Sequence, residues 1–162
     1  MLTQHRPISI SYLSTNLNLL SHLTTVATLY QRNRESFHLV LKNVDFHEVE
    51  KLTGDNDQEV PVKSNNKNLI WLEISRHRIV MTQQHETKLN YRHFWEKGVY
   101  GVSRYWLNSQ DEQLKSQKIY LRNFTRNLTM IGGDIPESLR IDYELWSHNL
   151  NLGHYILHIE IN

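Results

Sequence analysis

The chain of 162 residues fits a single globular domain spanning 1–162, and at this length folding removes roughly 70% of the unfolded chain's surface from water. Apolar residues make up 39% and charged residues 22%, which excludes a disordered or collagen-like chain. The absence of cysteine excludes disulfides, thiolate metal sites and a thiol nucleophile, and the net charge of +1 excludes a strongly basic polyanion binder.

Met1 to Pro7 lacks the apolar stretch of a secretory leader, and no apolar run approaches the length of a transmembrane helix, so a soluble, cytoplasmic protein is expected. Pro7 to Leu13 alternates Ile8, Ile10 and Tyr12 with Ser9 and Ser11, a short strand pattern. Leu19, Leu20, Leu23, Val26, Ala27 and Tyr30 then recur at helical spacing and predict an amphipathic helix capped by Ser14, Thr15 or Asn16. Phe37 to Val44 predicts a buried strand with Phe37, Leu39 and Leu41 on one face. Asp45 and Glu48 have capping-box spacing, which predicts a short helix from Phe46 to Leu52 stopped at Gly54. The polar stretch 53–68 holds one candidate edge strand, Val60 to Val62.

From Leu69 onward strand follows strand. Leu69–Ser75 and Arg78–Gln83 read as a hairpin, while 84–97 fits helix or strand. Val99–Leu107 and Lys118–Thr125 are two further strands, joined by a polar segment with room for a helical turn. Gly98 and Gly101 suit a bulge or a bend at a barrel corner, and Gly132-Gly133 marks a turn. At the C-terminus Leu139, Ile141, Tyr143 and Leu145 alternate with polar residues, as do Tyr155, Leu157, Ile159 and Ile161. With Asn149 to Gly153 as the turn, the expected register sets Tyr143 opposite Leu157, Ile141 opposite Ile159, Asp142 opposite His158 and Arg140 opposite Glu160. The predicted fold is α+β: a curved antiparallel sheet of about six to eight strands, open or rolled into a partial barrel, with the N-terminal helix packed on it.

Ten histidines invite a metal reading, but on a strand His154 and His158 stand about 13 Å apart, too far to share an ion. No metal site, cofactor site or catalytic residue set is expected, because no nucleophile elbow, phosphate-binding glycine loop or zinc spacing occurs. The sequons at Asn123 and Asn127 read as chance in a chain with 15 Asn.

The charge is unevenly spread. Residues 43–60 carry −5, 76–126 carry +6 and 127–162 carry −4. Within the basic block aromatic residues interleave with cations. If 99–107 and 118–125 pair, one face carries Tyr100, Arg104, Trp106, Lys118, Tyr120, Arg122 and Phe124. Tyr, Trp and Arg concentrate binding energy at interfaces. The expected function is therefore that of a non-catalytic accessory protein. It would bind a protein partner or a small apolar ligand through Tyr100, Arg104, Trp106, Tyr120, Arg122 and Phe124. Rings beside cations also suit single-stranded nucleic acid, the second expectation. A third is an enzyme with a cavity in the rolled sheet, where Asp142 orients His158 as a general base. A free first or last strand would offer an edge for homodimer pairing.

Overall fold

The computed structural model describes residues 2–16, 19–44, 47–51, 68–86, 89–107 and 117–162. Among them there is no helix. Eleven strands form one antiparallel sheet: β1 (Thr3–Ser14), β2 (Leu19–Gln31), β3 (Ser36–Lys42), β4 (His47–Lys51), β5 (Asn68–Ser75), β6 (Arg78–His85), β7 (Leu89–Glu96), β8 (Tyr100–Leu107), β9 (Lys118–Gly132), β10 (Pro136–Ser147) and β11 (Leu150–Ile161). With β4 set aside, strands consecutive in sequence are adjacent in space, and β1 pairs with both β11 and β2. Ten strands thus close into an up-and-down barrel. β4 lies beside the first residues of β2, on the edge where β3 pairs with its last residues. Closure removes the free first and last strands expected as dimer edges, because Ile8 sits opposite Ile161 and Ser14 opposite Tyr155.

The α+β expectation is overturned at its main support. Leu19 to Gln31 is a strand, not a helix. Leu23, Ala27 and Leu29 are buried in the barrel, whereas Leu20 and Val26 are exposed on the outside. Apolar residues four apart share a face on a helix and on a strand alike, so Leu19, Leu23 and Ala27 satisfy both periods. The β-branched Thr24, Thr25, Val26 and Thr28 fit a pleated surface better than a helix, and β1 supplies a twelve-residue ladder from Thr3↔Tyr30 to Ser14↔Leu19. The expected helix at 46–52 is likewise a strand over its described part, His47–Lys51. Asp45, the 60–62 edge strand and the helical turn between residues 108 and 116 lie outside the described residues.

The hairpin of β5 and β6 and the pairing of β8 with β9 are as expected. The ambiguous 84–97 stretch becomes the end of β6 and all of β7. In the last hairpin the faces are as predicted but the partners are shifted by two. Ile141 pairs with Leu157, Leu139 with Ile159, Arg140 with His158 and Tyr143 with Tyr155. The cause is a tighter connection than the predicted one. Ser147 already pairs with Leu150, His148 takes a positive φ of 52°, and a bulge follows Leu145. A shift of two keeps every side chain on its own face.

Inward side chains fill the lumen. Aliphatics come from most strands, among them Leu29, Leu39, Leu72, Ile74, Ile8, Ile141 and Ile159, each almost wholly buried. β7 to β11 and β1 add rings and polar groups: His93, Trp95, Ser103, Asn123, Thr125, Tyr143, Tyr155 and Tyr12. Asn123 is completely buried, which takes its sequon out of reach of modification. Gly98 has φ 75° in the β7–β8 turn. Gly101 is the close-approach glycine, since a Cβ there would stand 2.2 Å from the Phe94 carbonyl oxygen.

Candidate ligand-binding site

The most apolar cavity is a part of the lumen that the inward side chains leave open. It measures about 280 Å³ and is bounded by Tyr12, Ser21, Met81, Leu89, Tyr91, His93, Trp95, Tyr105 and Leu157. No lining side chain is a carboxylate, an ammonium or a guanidinium. Two larger depressions, about 430 and 460 Å³, lie on the outer wall and are lined by charged and amide side chains such as Arg32, Glu73, Arg78 and Arg92. Arg92 is already engaged there with Glu73 at 3.4 Å.

Alternation builds the aromatic wall. On β7 the inward positions are Tyr91, His93 and Trp95. On β8 they are Gly101, Ser103 and Tyr105, and on β10 Tyr143. Their rings form one connected cluster. His93 stacks on Trp95 at 4.9 Å with 9° between the planes, and Tyr105 meets His93 edge-on at 5.5 Å. Tyr91 lies 5.0 Å from His93, and Trp95 lies 5.1 Å from Tyr143. Tyr155 stacks between Tyr143 and Tyr12, whose hydroxyls are hydrogen-bonded to each other.

A short polar chain runs behind the rings. Asn123 Nδ2 donates to Ser103 Oγ at 2.8 Å, and Ser103 Oγ is 2.7 Å from His93 Nδ1. Burial lowers the His93 imidazole from its usual value to about 3, so the ring is neutral at physiological pH. Burial pushes the Tyr105 phenol up to about 12, and those of Tyr12, Tyr91 and Tyr143 further up. The His93 imidazole and these phenols are therefore uncharged near neutrality. Among the described residues the hydroxyls of Tyr91 and Tyr105 have no hydrogen-bond partner, and both rings line the cavity.

The residues predicted as a partner site are elsewhere. Tyr100, Arg104, Trp106, Tyr120, Arg122 and Phe124 do share one face, but it is the outer face of β8 and β9. Tyr100 pairs with Phe124, Arg104 with Tyr120 and Trp106 with Lys118. Arg104 covers the Trp106 ring at 4.9 Å and Arg122 covers the Tyr100 ring at 5.1 Å. Neither guanidinium has a carboxylate partner among the described residues. Tyr100 and Tyr120 remain 54% and 59% exposed.

The Asp142–His158 acid–base pair is not formed. Asp142 contacts His154 instead, and His158 bonds to Glu160 at 3.2 Å. All four stand on the outer wall, so no covered cavity surrounds them. Among the described residues no group of His, Asp and Glu is placed to hold a metal ion, and no helix is long and apolar enough to cross a membrane.

Sequence reasoning missed the lumen set because aromatics occur on both faces of β7 and β8. The signal was the period-two run Tyr91-x-His93-x-Trp95, which separates inward rings from the outward Arg92 and Phe94.

No family model and no curated protein matches the chain. Its fold resembles the crystal structure of the ywiB protein from Bacillus subtilis, with a TM-score of 0.59 over 99% of this chain and 93% of that one. At 10% identity the likeness extends to the fold alone.

Proposed function

We propose that the protein is a small-molecule carrier or sensor that binds an uncharged, ring-bearing ligand in the lumen of its barrel. The observation that carries this reading is the 280 Å³ cavity walled by aromatic rings on one side and by Met81 and Leu157 on the other. Ligand sites are typically concave, mostly apolar and marked by a few polar groups. The hydroxyls of Tyr91 and Tyr105 are such groups, and the neutrality of the lining disfavours a charged ligand, whose desolvation nothing would offset. The accessory, non-catalytic role expected from the sequence, in a soluble cytoplasmic protein, fits this reading.

The neutral naphthalene dye prodan provides the test. Its emission moves to the blue in a dry aromatic cavity, and the shift is lost in Ser21→Trp, where an indole projects from β2 into the cavity. An unshifted dye, together with no small mass retained on the gently purified protein in native mass spectrometry, rejects the proposal.

The outer face of β8 and β9 supports a second reading, contact with single-stranded nucleic acid. Exposed rings at Tyr100 and Tyr120 alternate with Arg104, Arg122 and Lys118, the combination that stacks bases and neutralises phosphates. A protein partner at the same face would show a much weaker dependence on salt.

A further inference from the structure

We propose that His93 presents its Nε2–H into the lumen as a neutral hydrogen-bond donor, and that the cavity therefore selects ligands carrying a carbonyl-type acceptor. The proposal rests on the lumen-binding reading above and adds the chemical group it recognises.

The serine is assigned as the donor to the imidazole. Ser103 Oγ accepts the amide hydrogen of Asn123 on one lone pair and gives its own hydrogen to His93 Nδ1, 2.7 Å away. A histidine that accepts at Nδ1 and carries a single proton holds that proton on Nε2. Burial keeps the ring at one proton down to about pH 3. Nε2 has no protein partner among the described residues, and His93 is part of the cavity wall. The ring cannot swing away, since it is stacked on Trp95 at 4.9 Å and held edge-on by Tyr105 at 5.5 Å. A donor that faces an apolar cavity without a protein partner is open to a ligand oxygen, and the bond they form favours that ligand. A hydrocarbon of the same shape makes no such bond.

The tautomer is read directly from long-range proton–nitrogen correlation spectra of the ligand-free protein. The Nε2–H form is expected for His93 in the wild type, with the preference lost in Ser103→Ala. An Nδ1–H signature in the wild type overturns the proposal.

The recognition is read with two probes of nearly equal shape, 2-acetylnaphthalene and 2-isopropenylnaphthalene, titrated calorimetrically. The ketone binds at least fivefold more tightly to the wild type. In His93→Leu the ketone loses its advantage over the hydrocarbon, the ratio of the two affinities falling to about one. Ser103→Ala narrows the difference without touching a cavity-lining residue. Equal affinities for the two probes overturn the acceptor preference and leave the lumen reading standing. Failure of both probes to bind overturns the lumen reading itself, and the acceptor preference with it.

Discussion

The hydroxyls of Tyr12 on β1 and Tyr143 on β10 are hydrogen-bonded to each other across the intervening strand β11. Tyr155 of β11 stacks on both rings and fills the gap beneath the bond. The pair ties the first strand to the tenth, so it acts where the barrel closes. Burial keeps both phenols protonated far above neutral pH, and each hydroxyl depends on the other.

Replacing either tyrosine by phenylalanine is expected to leave the other hydroxyl buried without a partner, at a cost of about 1–3 kcal/mol. The double variant Tyr12→Phe with Tyr143→Phe should cost little more than either single change. A double-mutant cycle by urea unfolding checks this, and additive effects of the two changes would remove the bond from the account of closure.

The buried imidazole of His93 makes stability depend on pH. Its folded pKa, about 3, lies below the unfolded value of 6.5, because burial penalises the charged ring. The unfolded chain therefore binds a proton that the folded chain refuses. The contribution is complete above pH 6.5 and is lost as pH falls towards 3. At its steepest the loss is about 1.4 kcal/mol per pH unit. Urea unfolding between about pH 6.5 and pH 5, where most carboxylates stay ionised, should show this slope in the wild type and its absence in His93→Leu. Equal slopes in the two proteins would place His93 in contact with water.

Gly101 is expected to tolerate no side chain. A Cβ would meet the Phe94 carbonyl oxygen at 2.2 Å and Asn123 Oδ1 at 3.0 Å, so β7 and β8 would have to part. Gly101→Ala should lower stability by about 1–3 kcal/mol, as overpacking does in other cores. Gly133→Ala is the control, because nothing lies within 4 Å of a Cβ there. A thermal melt of both variants distinguishes close approach from the general effect of removing a glycine.

Much of the sheet was legible because β5, and β10 from Leu139 on, alternate between buried and more exposed positions. Leu139, Ile141, Tyr143 and Leu145 are all buried, as their period of two requires. β2 was illegible for a physical reason: its inward residues Leu23 and Ala27 are four apart, a spacing that serves a helix as well as a strand. Only the long ladder with the preceding strand β1, outside the segment itself, decides between them. Ring closure is non-local, since Ile8 opposite Ile161 joins the two ends of the barrel. The lumen site stayed hidden behind the outer face. Arg104, Arg122 and the rings around them dominate the sequence by charge, whereas Tyr91, His93 and Tyr105 become a site only once the barrel is closed.

The outer face gives the last prediction. Arg104, Arg122 and Lys118 stand among the exposed rings of Tyr100 and Tyr120, and neither arginine has a carboxylate partner among the described residues. If these three cations contact phosphates, binding of a fluorescent oligothymidylate should weaken with a log–log salt slope of about −2. Arg104→Glu with Arg122→Glu reverses two of the three charges and should abolish that binding. Stability should fall by no more than about 1–2 kcal/mol, because Arg104 gives up a cation–π contact on an exposed ring and Arg122 one such contact and an exposed hydrogen bond to the His148 carbonyl. Fluorescence anisotropy across a salt series measures the first effect and urea unfolding the second. Binding that ignores salt, or survives the double substitution, would mean that the arginines serve to shield Trp106 and Tyr100 from water. The lumen would then be the protein's binding surface.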